Sequence, residues 1–118
     1  MATITPSSVA TADVRAQVYA WAGFAASADV GAAVQVPGYR DRSVQISGTF
    51  AGSIEITIEG SNDGANYVAL TDPQGNAIVK TAAAIEAISE PTRYIRPRAS
   101  AGSGGAAVTV TLFFGGNA

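Results

Sequence analysis

The sequence contains no histidine and no cysteine, and Lys80 is its single lysine. Without cysteine there is no disulfide, no thiolate nucleophile and no thiolate metal site. Without histidine, the Ser-His-Asp and Cys-His catalytic systems lack their base, and structural zinc lacks its usual ligands. Lys80 has no Ser-x-x-Lys context that would make it a catalytic base. We therefore expect a protein that is not an enzyme and that has no cofactor.

Charged residues are also scarce. They make up 14% of the chain, against about 25% in an average globular protein. The net charge of −2 gives no basic footprint for nucleic acid, and no window approaches the roughly 18 apolar residues of a membrane helix. The first residues lack the basic and apolar regions of a secretory signal. We expect a protein made in the cytoplasm, whose weakly charged surface suits contact with other proteins.

Strand periodicity is the strongest pattern in the chain, and it is clearest in residues 43–50 and 53–59. In the second run Ile54, Ile56 and Ile58 share one face, and polar residues occupy the other. The short Ala-Gly link between the two runs predicts a hairpin. A second hairpin is predicted where a glycine-rich turn at 102–105 joins runs at 92–99 and 107–114.

Further short strands are predicted between these runs. They lie at 16–24, 30–36, 67–70, 77–80 and 84–89, with turns at 37–38, 62–64 and 71–76. In all, eight or nine short strands with closely spaced turn signals predict an all-β protein, a single-domain antiparallel β-sandwich that is jelly-roll-like. Residues 1–14 are predicted to form an extended N-terminal arm, and residues 15–118 the sandwich domain.

The arm and the aromatic residues are the first candidates for a partner interface. Ile4, Pro6 and Val9 are among the larger groups of the arm, which either frays or lies on a neighbouring subunit. Trp21 and Tyr39 are candidates because one small core need not bury every aromatic side chain. Which face of the 16–24 strand turns inward is left open by the pattern, and a monomer that buries all its aromatics is the alternative.

Carboxylates are the remaining residues that could carry acid-base chemistry. Glu55 and Glu59 share a strand face but lie about 13 Å apart along an extended chain, beyond both glycosidase separations. We interpret this face as solvated. The SNDG segment that starts at Ser61 lacks the ligand spacing of an EF-hand loop and is predicted to be a turn.

Arginines complete the candidate interface: Arg40, Arg42, Arg93, Arg96 and Arg98. By alternation, Arg96 and Arg98 share a face with Tyr94. Pro97 cannot donate to a ladder, which predicts a sheet edge or a bulge there. The arginines are expected to pair either with acidic groups on a partner or, within the chain, with Glu86 and Glu90.

Two blocks of the sequence resemble a known group of proteins. They are GSIEITIEGSNDGANYVAL and PTRYIRPRASAGSGGAAVTVTLFF, and together with the preceding strand the similarity spans residues 43–114. Small virion proteins of tailed phages have a strand ending in G-S-N/L-D-G-x-x-W/Y. A P-x-R-Y-I/V-R-P strand, a glycine-rich turn and a final V-T-V-x-L strand follow. The chain thus resembles a phage virion structural protein, and most closely a capsid decoration, or cement, protein.

This resemblance implies a β-sandwich or jelly roll on the outer surface of the phage head, as a homotrimer. Its partners would be the major capsid protein and copies of itself, without nucleic acid or membrane, and it would stabilise the shell without catalysis. The alternative is a tail-fibre, baseplate or other tail-associated module. Such a module would recognise another virion protein, or carbohydrate through Trp21 and Tyr67.

Overall fold

The chain folds into two β-sheets that pack around one hydrophobic core. The computed structural model describes residues 2–9, 16–36 and 41–115. The strands are β1 (Thr3–Ile4), β2 (Ser7–Val9), β3 (Gln17–Phe24), β4 (Val30–Gly31), β5 (Val34–Gln35), β6 (Asp41–Thr49), β7 (Glu55–Ser61), β8 (Val68–Ala69), β9 (Val79–Lys80), β10 (Ala84–Ala87), β11 (Tyr94–Ala101) and β12 (Ala107–Gly115). These described ranges contain no helix. The predicted all-β, jelly-roll-like sandwich is confirmed.

The smaller sheet, called sheet B, has five antiparallel strands in the order β10-β6-β12-β3-β2. Its central strands pair along their whole length, from Ala107 opposite Thr49 to Gly115 opposite Asp41. Alternate residues of β12, from Val108 to Phe114, are fully buried. Alternation therefore predicts correctly which face of this strand packs on the core.

The larger sheet, called sheet A, has the order β1-β4-β11-β7-β8. In addition, β5 pairs with β11 and β9 pairs with β7. The long strands β7 and β11 are antiparallel, with Arg96 opposite Glu59, whereas β1 and β4 run parallel. Ile56, Ile58 and Ile95 turn inward and are buried.

Both predicted hairpins are wrong. Strand β6 lies in sheet B and β7 in sheet A, so the link at 50–54 carries the chain from one sheet to the other. The same holds for β11 and β12 across residues 102–106. Gly52 and Ser53 both have positive φ, 62° and 56°, which lets the chain reverse in a few residues. Such a reversal can join strands that pair or strands that face each other across a core.

The predicted strand at 16–24 is confirmed, and the structure decides which of its faces is buried. Trp21 is 1% exposed, and its indole Nε1–H donates to the Ala32 carbonyl at 2.9 Å. A register shift beside Val108 coincides with a φ of 96° at Gly23. Because this bulge adds one residue, Phe24 also turns into the core, although strict alternation would place it outside.

The described part of the N-terminal segment pairs with both sheets of its own chain. Strand β1 pairs with β4 of sheet A and β2 pairs with β3 of sheet B. The carboxylate of Asp29 accepts the N–H of Ala2 at 3.1 Å and, through its other oxygen, that of Ala25 at 3.0 Å. The inter-subunit role of the arm stays a prediction.

Candidate interaction site

The outer face of β7 and β11 holds a cluster of charged side chains around one buried carboxylate. Glu59 is only 6% exposed. Its Oε1 accepts a hydrogen bond from Arg96 Nε at 3.0 Å, and its Oε2 accepts one from Arg98 Nε at 2.9 Å. Both ion pairs follow from the register, which puts Arg96 opposite Glu59 and Arg98 two residue pairs further along, on the same face. We call Glu59, Arg96 and Arg98 the arginine cluster.

Aromatic rings support the arginines of this surface. The guanidinium carbon of Arg96 lies 3.8 Å from the ring centroid of Tyr67, a cation–π geometry. That of exposed Arg93 lies 5.3 Å from the ring centroid of Tyr94. Because Arg96 is held by Glu59 on one side and Tyr67 on the other, its side chain is ordered before any partner arrives.

The guanidinium groups of the arginine cluster keep free donors. Arg96 and Arg98 use Nε toward Glu59, and within the described ranges their terminal NH₂ groups have no hydrogen-bond partner. Their side chains are 28% and 39% exposed. Two positive charges share one carboxylate, so the three residues of the arginine cluster carry a net charge of +1. Such a surface suits carboxylate groups of a partner, which guanidinium binds in a bidentate manner.

A hydroxyl network continues the same face toward the end of the sheet. Thr57 Oγ1 and Ser100 Oγ lie 2.8 Å apart, and Ser100 also donates to Glu55 Oε1 at 2.9 Å. The interpretation of this strand face as solvated is therefore wrong for Glu59 and Thr57, which are buried. The neighbouring strand β11 covers them with its long side chains.

The carboxylates of Glu86 and Glu90, the predicted partners of the arginines within the chain, bind other groups. Glu86 pairs with Lys80 at 2.6 Å, which links an edge of sheet B to an edge of sheet A. Glu90 accepts hydrogen bonds from the N–H and hydroxyl of Thr71. Burial raises the pKa of Glu90, but the two hydrogen bonds outweigh it, and the net shift is downward.

Pro97 lies in an inner strand rather than at a sheet edge, so this prediction is wrong. On one side β11 pairs with β7 throughout, and on the other with β5 at Tyr94 and Ile95 and with β4 at Arg98. On this second side the Ala99 N–H donates to the Asp29 carbonyl. Because every second backbone nitrogen points to the same side of a strand, the nitrogen of Pro97 points there too. Pro97 has no N–H to donate, and it lies between the positions that pair with β4 and with β5. The bulge of this strand lies at 99–101 instead.

Two predicted interface residues are buried in the chain itself. Trp21 lies in the core, so its expected exposure is wrong. Arg42 is also buried, and its guanidinium donates to the carbonyls of Thr92 at 2.7 Å and Val36 at 3.0 Å. Arg42 therefore joins β6 to two connecting segments. Neither side chain presents a surface to a partner.

The other predicted interface residues lie at the surface or outside the described residues. Val9 is exposed at the edge of sheet B, whereas Ile4 and Pro6 are half-buried. Arg93 is exposed beside the arginine cluster. Tyr39 and Arg40, like the turn predicted at 37–38, lie outside the described residues.

The SNDG segment is a turn closed by its own hydrogen bonds, as predicted. Asp63 Oδ1 accepts from Ser61 Oγ at 2.8 Å and from the N–H groups of Ala65 and Asn66 at 2.9 Å. Gly64 has a φ of 77°, which a glycine adopts at no steric cost. Both carboxylate oxygens of Asp63 accept hydrogen bonds within the turn.

Sequence reasoning did not identify Glu59 as the centre of the arginine cluster. Alternation puts Glu59 on the outer face of β7, but this position indicates an arginine partner only once β7 is known to pair with β11.

Across 2–9, 16–36 and 41–115, no group of three or more acidic side chains is placed to hold a metal ion. Nor does any helix in these ranges have the length and apolarity to cross a membrane.

Comparison with known proteins identifies the fold. No protein-family model matches the chain, and no curated protein sequence matches it. Its fold is similar to that of the SPBc2 prophage-derived protein YomS, with a TM-score of 0.60 and 16% identity over 89% of this chain and 98% of that chain. It is also similar to Aeromonas hydrophila PliG, a periplasmic lysozyme inhibitor of g-type lysozyme, with a TM-score of 0.50 and 12% identity over 96% of both chains. A prophage-derived protein thus shares this two-sheet fold.

Proposed function

We propose that the protein is a non-catalytic structural protein of the phage virion, and specifically a capsid decoration protein. It binds the outer surface of the head and stabilises it, and its partners are the major capsid protein and copies of itself, as a homotrimer. The resemblance of residues 43–114 to small virion proteins supports this role. The fold shared with prophage-derived YomS is consistent with it at the level of architecture.

The arginine cluster is the observation that carries the proposal. Arg96 belongs to the P-T-R-Y-I-R-P segment that resembles virion proteins, and Arg98 directly follows that segment. The structure fixes both arginines on a buried carboxylate. A cement protein needs contacts that form without further ordering of its own side chains, because each side chain immobilised on binding reduces affinity. The partner surface that fits these free NH₂ groups is one that presents Asp or Glu side chains.

A protein partner fits the surface better than a carbohydrate. Carbohydrate recognition by the tail-associated alternative was predicted to use exposed Trp21 and Tyr67. Trp21 is buried, and Arg96 occupies one face of the Tyr67 ring. Neither ring is thus open on both faces for stacking against a sugar.

The test is binding to phage heads assembled without this protein. Purified protein is mixed with such heads at low and high salt, the bound fraction is measured by co-sedimentation, and its position is mapped by cryo-electron microscopy. We expect saturable binding to the head surface that weakens with added salt, since exposed charge pairs are screened. The double variant Arg96→Gln/Arg98→Gln should bind the heads at least tenfold more weakly than the wild type.

The matched control is Arg93→Gln, which removes an exposed arginine outside the cluster. Its binding should stay within a few-fold of the wild type. Saturable binding to tails with none to heads would contradict the proposal and support the tail-associated alternative. Unchanged binding of the double variant would show that the arginine cluster is not the contact surface.

A further inference from the structure

The outer face of sheet B differs from the rest of the surface because it carries almost no charge. The pairing registers place Val9, Val18, Phe113, Ser43 and Ala87 in one row across all five strands. Alternation turns these residues away from the core. Phe113 is 40% exposed at the centre of the row.

The next row on the same face is equally uncharged. It contains Ser7, Ala20, Thr111, Gln45 and Ile85, and Ile85 is 66% exposed. Within the described strands of sheet B, Asp41 at one corner is the single charged residue that points outward. We call this surface the sheet B outer face.

We propose that another copy of this chain covers the sheet B outer face. The covering surface is the same face of the second copy, so the contact forms a two-fold dimer and is separate from the contacts of the proposed homotrimer. The inference rests on the composition of this face and holds whether or not the protein binds a phage head.

The absence of charge determines which surfaces can lie against this face. An opposing surface with Lys, Arg, Asp or Glu would lose hydration of those charges without gaining an ion pair. About a quarter of the residues of an average protein are charged, whereas the sheet B outer face of a second copy provides an uncharged surface.

The polar groups of the face are also self-complementary. The hydroxyl groups of Ser43 and Thr111 and the amide of Gln45 each donate and accept hydrogen bonds. A face composed of such groups and methyl groups can therefore satisfy a second copy of itself. The outer face of sheet A carries carboxylate and guanidinium groups, so its partner must present charges of the opposite sign to them.

The area reaches the lower limit for a specific contact. With about 4.8 Å between strands and about 3.4 Å per residue, the five strands of sheet B cover about 500 Å². Two such faces together bury about 1,000 Å², the size at which specific interfaces begin. A depression of about 260 Å³ lies at the Asp41 corner of this face, and it is lined by Asp41, Arg42, Ser43, Ala87, Ile88 and Phe113.

The experiment is sedimentation equilibrium of the purified full chain over a dilution series, without heads. The wild type is expected to associate, with an association constant that does not fall as salt is added, because the contact contains no ion pairs. Phe113→Glu should weaken the association by about ten- to a hundredfold, the equivalent of losing one buried aromatic contact. Thr111→Lys, a second change on the same face, should also weaken it at least tenfold.

Val68→Glu is the matched control. Val68 is 71% exposed on the edge strand β8 of sheet A, so the same type of change there should leave association intact. Thermal unfolding of each variant verifies that it is folded. The inference is overturned by a wild type that stays monomeric, by association that Phe113→Glu and Thr111→Lys leave unchanged, or by an equal loss in Val68→Glu. A monomeric wild type whose head binding is lost in Phe113→Glu would assign the face to another protein.

Discussion

At the scale of single residues, Glu59 determines the state of the arginine cluster. It is the one carboxylate that both Arg96 and Arg98 contact, and it is buried while they are partly exposed. Replacing Glu59 by Gln keeps the shape of the side chain but removes its negative charge. It also places the amide NH₂ group against the Nε–H donor of either Arg96 or Arg98. We expect Glu59→Gln to lower the free energy of unfolding by about 1–3 kcal/mol, since hydrogen bonds to charged groups contribute about that much. Urea unfolding at neutral pH measures the change.

The control for this prediction is Glu55→Gln on the same strand and the same face. Glu55 accepts one hydrogen bond, from Ser100, and the Gln carbonyl can still accept it. The loss of stability in Glu55→Gln should therefore be small. Equal losses in the two variants would mean that the paired guanidinium groups do not depend on the Glu59 charge.

At the scale of elements, Asp29 connects the parallel strand β1 to the body of the protein. Its oxygens accept the N–H groups of Ala2 on one side and of Ala25 and Ala26 on the other. In Asp29→Asn the amide NH₂ must face N–H donors on one of these sides, which leaves donors unpaired. We expect Asp29→Asn to accelerate hydrogen exchange at Val30 and Ala32, whose N–H groups bind carbonyls of residues 2 and 4.

Asp41→Asn makes the same chemical change at an exposed position and serves as the control. It should leave exchange at Val30 and Ala32 unchanged. If Asp29→Asn also left these amides protected, β1 would be held by its pairing with β4 alone.

Strands could be predicted from this sequence, whereas their pairing could not. Alternation at 43–50, 53–59 and 107–114 identifies the strands and the sides that face the core, because packing on one side selects apolar residues at every second position. Pairing depends on which strands meet in the sheet. The Ala-Gly link before Ser53 has the length of a hairpin loop, but here it joins two sheets. Local spacing does not distinguish these outcomes.

The candidate site was predictable in its residue types and only partly in its geometry. Arg96 and Arg98 were identified on one face, and they do share it. Their partner Glu59 could not be identified, since it is 37 residues from Arg96 along the chain and the contact requires the β7–β11 register. Arg42 and Trp21 were misassigned because side-chain type alone does not show that backbone carbonyls are available to satisfy a buried donor.

At the scale of the whole molecule, the two outer faces have different chemistry. Sheet A presents the arginine cluster with its hydroxyl network, and sheet B presents apolar side chains with uncharged polar groups. A single chain can thus contact an acidic partner on one side and an uncharged surface on the other. Added salt should weaken the contact that contains ion pairs and not the uncharged one, which allows head binding and self-association to be measured separately in the same protein.

Below about pH 8, the stability of the whole molecule should change with pH only on the acid side. Hydrogen bonds from Ala25, Ala26 and Ala2 lower the pKa of Asp29 against the effect of burial, and those from Asn66 and Ala65 lower the pKa of Asp63. Thr71 lowers the pKa of Glu90 in the same way. A carboxylate whose pKa is lower in the folded state stabilises the fold above its ordinary pKa, and this stability is lost as the pH falls through that range.

The sequence has no histidine, so no side chain has an ordinary pKa between about 5 and 8. We therefore expect the free energy of unfolding to be constant from about pH 5 to pH 8 and to decrease steadily below about pH 4. Urea unfolding at a series of pH values measures this curve, and Asp29→Asn should show a shallower decrease because one of the shifted carboxylates is gone. A stability maximum below about pH 4 would contradict the prediction, since it would require carboxylates that bind protons more tightly in the folded state.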